Sequence, residues 1–291
     1  MPAATVVGIG LAAAALAATA RAAGLTVVGP IDPSTAASDV APSSTTRVLL
    51  APDGVTREQL VELALAFTSR RIPVWLDVTT SPELGNLLPC ERLGDRLGVV
   101  LMRHADSPLR RMIDAAIASV ALVALSPLLL VLAFLTKVSS PGPVFHRAVV
   151  VGQDGRPFTW YKFRTMRVAG EDEPLRRRRF AEFVAGGAAP AKIVDDARVT
   201  TTGRVLRRHS LDELPQLLSV LKGDMTLVGP RPCLVYEYEL LRAWHRQRFA
   251  ARPGLTGLWQ VCGRGRVHAD EMAFMDIVYS LGRTWWSDVR V

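Results

Sequence analysis

Residues 115–136, AAIASVALVALSPLLLVLAFLT, run for 22 positions without a charge. A straight α-helix of that length reaches ~33 Å, enough to cross a hydrocarbon core. Pro127 sits near the middle, directly after Ser126. Proline removes one helix hydrogen bond and kinks the rod, and a neighbouring serine can bond back to a freed carbonyl. Both flanks are basic, with Arg103, Arg110 and Arg111 before the run and Lys137, Arg147 and Arg156 after it. Charge bias therefore gives a span no orientation. A bent, re-entrant hairpin over 110–138, returning both ends to the cytoplasmic face, satisfies both observations. A kinked transmembrane helix and a buried core helix are the alternatives. The core helix suits the run least, because no polar stripe interrupts it.

The rest of the chain sharpens this picture. Its net charge of +8 is confined to one part: residues 1–105 hold 8 Lys+Arg against 9 Asp+Glu, residues 106–291 hold 27 against 18. A chain both basic and apolar on average (mean hydropathy +0.21) points to an anionic membrane surface or phosphate-bearing ligands. Cys90, Cys233 and Cys262 lie far apart with no CxxC pair, which argues against a disulfide scaffold or zinc ribbon. A domain boundary is expected at 104–108, where Asp106-Ser107-Pro108 is a turn signal.

Residues 1–105 alternate strand-like and helix-like stretches: a short strand over 5–8, an Ala-rich helix to about Ala23, strands over 25–28 and 47–51, a helix over 56–70 and a strand over 73–78. That rhythm predicts a parallel α/β unit. Gly8, Gly10 and Ala13 give a G-x-G-x-x-A spacing, with Asp32 where a ribose-binding acid would fall. A tight turn that packs the helix closely on the sheet explains the same glycines. A signal peptide is disfavoured, since no basic residue precedes Val6.

Beyond the apolar run, Val144–Val151 and Phe158–Phe163 read as a hairpin around Gln153-Asp154-Gly155. Lys162 and Arg164 alternate with Phe163 and would share one face, as a solvated edge or as a phosphate clamp. The Arg176–Arg179 run, the Leu234–Phe249 stretch (LVYEYELLRAWHRQRF) and Trp285-Trp286 mix cations with aromatics, as lipid–water interfaces do. Nucleic-acid binding uses the same residue types.

Arg207–Pro232, RRHSLDELPQLLSVLKGDMTLVGPRP, is the most informative stretch. Ser210 and Glu213 have capping-box spacing, which would place Ser210 at an N-cap and Asp212 beside the positive end of a helix dipole. Adjacent helix positions point ~100° apart, so Asp212 and Glu213 cannot flank one bond as a glycosidase pair does. They can divide labour, one facing a phosphorus and the other holding a divalent cation. Arg204, Arg207, Arg208 and Arg231 would bind a polyphosphate and keep the acids ionised.

This stretch, with Ser126-Pro127, SPGPVFHR (140–147), GRPFTWYKFRTM (155–166) and RPGLTGLWQVCGRG (252–265), resembles the bacterial sugar transferases, the monotopic phosphoglycosyl transferases. Residues 1–105 more loosely resemble the Rossmann-like region that precedes the catalytic part in longer members. The resemblance implies a partial Rossmann-like α/β domain (1–105), then a membrane-associated α+β catalytic domain (106–291) with a re-entrant apolar helix. It implies Asp212 as nucleophile, with Glu213, alongside Asp212, holding Mg²⁺. Lys162, Arg164, Arg207, Arg231 and Arg252 are the expected phosphate binders. The implied substrates are a UDP-sugar and a polyprenyl phosphate, at the cytoplasmic leaflet of the bacterial inner membrane. No nucleic-acid partner is expected, and a homo-oligomer is compatible. A membrane-anchored protein that senses a nucleotide is the alternative. Ala148-Val149-Val150 and Cys262 depart from the family pattern, but neither touches the acidic pair.

Overall fold

A computed structural model describes residues 3–39, 46–103, 107–167, 173–187, 198–262 and 267–291. The expected boundary turn at 104–106 and the end of the last motif, 263–265, lie outside them. The chain divides into two units, one of residues 1–105 with 270–291 and one of 106–269.

The first unit holds β1 (Ala3–Val7), α1 (Gly10–Ala22), β2 (Thr26–Ile31), α2 (Ala36–Asp39), β3 (Arg47–Leu50), α3 (Arg57–Ser69), β4 (Val74–Asp77), α4 (Pro82–Leu87), β5 (Cys90–Leu93) and β6 (Arg96–Leu101). One sheet has the order β2-β1-β3-β4-β6-β5. Its first four strands are parallel, and β6 runs antiparallel to β4 and β5. The sheet is therefore mixed rather than wholly parallel. All four residues of β4 are buried, as suits a strand covered on both faces. Thr56 and Gln59 form a capping box that starts α3. A Cβ on Gly8 would lie 2.8 Å from the Ala51 Cβ and 3.0 Å from the Ala13 Cβ, so this glycine serves close packing of α1 on the sheet. The Asp32 carboxylate accepts the Ser34 amide at 2.8 Å and hydroxyl at 2.6 Å, which hold it below its ordinary pKa. It is engaged in its own turn.

The C-terminal helices, expected in the second domain, group with this first unit. They are α13 (Ala269–Gly282) and α14 (Trp285–Arg290). Phe274, Ile277, Val278 and Tyr279 are buried, the Met102 amide donates to Leu281 O at 2.9 Å, and a Cβ on Gly282 would press on Val99. Aromatic and basic content pointed to the second domain; the buried apolar positions of α13 made it part of the sheet's core instead.

The second unit opens with α5 (Pro108–Ala124) and α6 (Ser126–Ser139), bent by 65° at Leu125. No single helix among the described residues is long and apolar enough to cross a membrane. Pro127 lies in the first turn of α6, where proline's missing N–H costs little, and Ser126 Oγ donates to Val123 O at 2.8 Å. One side of the pair is uncovered, with Met112, Val120, Val123, Leu130, Phe134 and Val138 between 62% and 76% exposed. The covered side carries Asp114, Ala118, Leu132 and Thr136.

The remaining elements are β7 (Phe145–Val151), β8 (Pro157–Phe163), α7 (Glu173–Val184), α8 (Thr201–Arg208), a 3₁₀ turn (Leu211–Gln216), α9 (Leu217–Lys222), β9 (Thr226–Val228), β10 (Cys233–Leu234), α10 (Val235–Leu240), α11 (Ala243–Arg246), a 3₁₀ turn (Gln247–Ala250), β11 (Gly254–Thr256) and α12 (Leu258–Cys262). They form a three-stranded antiparallel sheet, β10-β7-β8, and a parallel pair, β11-β9. Leu234–Phe249 does not form one interfacial stretch. It breaks into short elements, with Trp244, Phe249 and Arg248 buried. In α7, Arg177 pairs with Glu173 and Glu239, and Arg178 with Glu182, as on a solvated helix face.

Candidate active site

The acidic pair sits on a 3₁₀ turn, not on a capped α-helix. Ser210 is left-handed (φ 56°) and makes no side-chain cap; the Glu213 amide donates to Ser210 O at 3.2 Å. The expected Ser210–Glu213 capping box is therefore absent. Its Glu213 half is replaced by cation contacts. Lys162 Nζ donates to Glu213 Oε1 at 3.0 Å, and Arg231 Nη1 lies 3.7 Å from the same oxygen. Asp212 is only 6% exposed.

Two strands deliver the cations. Lys162 comes from β8, and its ammonium lies 4.1 Å from the centre of the Trp160 ring, two residues earlier on the same strand. The Arg231 guanidinium lies 6.0 Å from that ring. Burial, with the neighbouring Arg231 charge, pushes the Lys162 pKa down to about 8, against support from Glu213 and Asp212. Trp160 thus seats both cations and was not singled out from the sequence. Its period-two spacing to Lys162 was the available signal.

Arg231 is held through its backbone. It follows β9, and Arg248 Nη2 donates to its carbonyl at 2.8 Å. Glu237 accepts the Leu234 amide at 2.8 Å, and burial raises its pKa. The buried Cys233 thiol is pushed up to about 12. Two glycine-containing motifs are zipped together here. The Gly229 amide donates to Thr256 O at 2.9 Å, and the Gly254 amide to Pro230 O at 2.8 Å. A Cβ on Gly254 would lie 2.1 Å from Gly229 N, so only glycine permits this approach. The pairing brings the half-buried Arg252 segment beside the Arg231 turn.

Two other expected phosphate binders make hydrogen bonds of their own within the second unit. Arg164 is 5% exposed and donates to Pro141 O and Ser140 O at 2.6 Å and to Thr136 O at 3.4 Å. It ties down the C-terminal end of α6, where free carbonyls and the helix dipole favour a cation. The pairing of Lys162 with Arg164 as one clamp is thereby corrected: strand β8 ends at Phe163, and the two side chains have separate targets. Arg207 lies in α8; its Nε donates to Thr165 Oγ1 at 2.9 Å and its Nη2 reaches Met166 Sδ at 3.3 Å.

The apolar helix pair braces the site from the other side. Arg111 Nη1 and Nη2 donate to Val220 O and Leu221 O, both at 2.6 Å, at the end of α9. Asp114 accepts a hydrogen bond from Thr226 Oγ1 in β9, and Ala118 packs with Leu217, Val220 and Met225. Helix α5 thus fixes α9, which continues from the acidic turn, and β9, which leads to Arg231.

No group of three or more His, Cys, Asp or Glu suited to a metal occurs among the described residues. Mg²⁺ is usually held by one or two carboxylates together with substrate phosphates and water. Asp212 and Glu213 fit that donor set, not an all-protein cage.

A buried carboxylate next to one held by two cations, braced by an apolar helix pair, makes up the candidate site. The family described as bacterial sugar transferase matches residues 105–291, and the chain belongs to it. It is 43% identical over 173 residues to the exopolysaccharide production protein ExoY of Sinorhizobium fredii, covering 57% of this chain and 74% of that protein. It is 38% identical to the undecaprenyl-phosphate galactose phosphotransferase of Salmonella typhimurium, over 66% of this chain and 40% of that one. With the UDP-glucose:undecaprenyl-phosphate glucose-1-phosphate transferase of Escherichia coli it shares 34% identity, over 82% of this chain and 50% of that enzyme. The chain thus spans half or less of these two longer relatives.

Proposed function

We propose that this protein transfers a sugar-1-phosphate from a UDP-sugar to a polyprenyl phosphate, releasing UMP, as the first membrane step of exopolysaccharide or related glycan synthesis. The observation that carries this reading is the buried Asp212 beside Glu213, Lys162 and Arg231. Family membership and the named activities of its relatives support it.

In the first step an Asp212 oxygen attacks the sugar-bearing phosphorus. The bond from that phosphorus to the bridging oxygen breaks, and its electrons leave with UMP. Asp212 then carries the sugar phosphate as an acyl phosphate. In the second step a phosphate oxygen of the polyprenyl carrier attacks the same phosphorus, and the Asp212 carboxylate departs. Lys162 and Arg231 neutralise charge that builds on the phosphate oxygens, the largest need in such a transfer. Asp212 and Glu213 would hold Mg²⁺, which supplies further neutralisation at the diphosphate.

The uncovered face of α5 and α6 supports association with a membrane by a re-entrant pair, with the site at the cytoplasmic surface. The order of strands β2, β1, β3 and β4 supports a Rossmann-like reading of the first unit. The relatives differ in the sugar they name, galactose or glucose, so no sugar is assigned. UMP release from a panel of UDP-sugars with polyprenyl phosphate, with and without EDTA, tests the proposal. Multiple turnovers of UMP release that need the carrier and are abolished by EDTA are expected, with donor alone giving at most one UMP per enzyme; no release with any donor would overturn it.

A further inference from the structure

A cavity of about 280 Å³ opens within the first unit. Its walls come from the residues after β3, the end of β4, the turn into α4 and one face of α13. Ligands of open α/β sheets bind outside the carboxyl ends of the parallel strands, and this cavity is at those ends of β3 and β4.

The cavity's charges divide into engaged and available groups. The buried Asp77 carboxylate binds Arg96 at 2.5 Å and Thr79, so it serves the fold. Arg57 gives its Nε to Glu271 at 2.9 Å and lies 4.4 Å from the centre of the Phe274 ring. Its Nη groups make no other hydrogen bond among the described residues. Asp53 beside them is exposed, and no hydrogen bond among the described residues uses its carboxylate. Ser81 heads α4 without capping it, so its hydroxyl, like that of Thr80, is available at the rim. An acceptor carboxylate, guanidinium donors and two hydroxyls therefore converge over an apolar floor that includes Leu84.

Charge selects the ligand class. Arg57 is balanced by Glu271 and Asp77 by Arg96, which leaves Asp53 as the uncompensated charge. A phosphate would meet a carboxylate with no spare cation. The volume is also below the usual range of about 300–1,000 Å³ for ligand pockets, too small for a dinucleotide. We infer that this cavity binds a neutral polyhydroxylated ring of monosaccharide size, with Asp53 accepting from adjacent hydroxyls and Arg57, Thr80 and Ser81 completing the polar contacts. The site is separate from the transferase reading and stands whether or not that reading does.

Calorimetry and saturation-transfer NMR on the full chain in detergent would test it. The probes are glucose, galactose and N-acetylglucosamine, each as free sugar and as methyl glycoside. The glycosides report whether a glycosyl residue suffices or the anomeric hydroxyl is needed. Saturable binding of at least one sugar is expected, weakened at least tenfold by Asp53→Asn and measurably by Ser81→Ala, with UMP release unchanged in both variants. Both residues lie at the cavity rim, and an unaltered unfolding midpoint would show that the variants fold. Absence of saturable binding, equal affinity in wild type and both variants, or competition by inorganic phosphate would overturn the inference. Loss of UMP release in wild type would instead count against the transferase reading alone.

Discussion

Strand β4 and the helix pair α5–α6 are both apolar, but the protein covers only one of them. Val74, Trp75 and Leu76 are at most 2% exposed, whereas Val123 is 76% and Leu130 73% exposed. In β4, burial by neighbouring layers removes apolar surface from water, at about 25 cal/mol per Å². In α5–α6 the same driving force is unsatisfied among the described residues, and a face of that kind marks a site of interaction with a partner or a membrane. The difference teaches that hydropathy alone does not say which medium will cover a segment. Polar placement does: Asp114, Thr136 and the Arg111 contacts mark the side that the protein covers.

The largest expected effect leaves both packing regimes intact. Asp212→Asn should lower UMP release by a factor on the order of 10⁴ or more, as losing a covalent nucleophile does, with the unfolding midpoint and membrane association unchanged. Intact-mass analysis after donor addition should show the sugar-phosphate adduct in the wild type and not in the variant. Full activity in the variant would remove Asp212 from the nucleophile's role.

A paired substitution tests the comparison itself. Leu49→Ala, in the buried core of the first unit, should cost about 2–5 kcal/mol of stability in denaturant titrations. Leu130→Asp should cost little in detergent but sharply reduce recovery of the protein with lipid vesicles. Equal vesicle recovery would show that this face is not the lipid-facing one. Arg164→Ala comes next. It removes a buried guanidinium and leaves carbonyls at the C-terminal end of α6 without their donor, and a loss of about 2–4 kcal/mol is expected. Arg164→Ala should lower thermal stability and activity together, whereas a phosphate-binding role would raise the KM for donor without a stability change.

The parts legible in the sequence were those governed by local rules. The βαβ order, the hairpin at Gln153–Gly155 and the bend at Ser126-Pro127 follow from periodicity, turn residues and the missing proline N–H. The acidic pair stood out through its motif and its neighbouring cations. What stayed hidden depends on distant partners. Arg164 and Lys162 look alike in sequence, yet one meets the end of α6 and the other Glu213. The left-handed Ser210 overrode a good capping pattern, because an N-cap residue needs extended φ/ψ to aim its oxygen at the following amides. The move of α13 into the first unit rests on contacts with strands more than 150 residues earlier.

The smallest expected effect is in pH dependence. Lys162, pushed down to about 8, is charged below that pH and loses its proton above it. If its charge assists phosphate transfer, kcat/KM should fall as pH rises through about 8. Lys162→Arg should move that limb well upward, because a guanidinium stays charged. The stability effect has the opposite direction. The unfolded lysine keeps its ordinary value near 10.5, so between about 8 and 10.5 the unfolded chain holds more protons. Over that window the wild type should gain stability with rising pH relative to Lys162→Met, and below 8 the full cost of burying the cation is present. An alkaline limb that stays in place in Lys162→Arg would assign the titration to another group and return Lys162 to a packing role on Trp160.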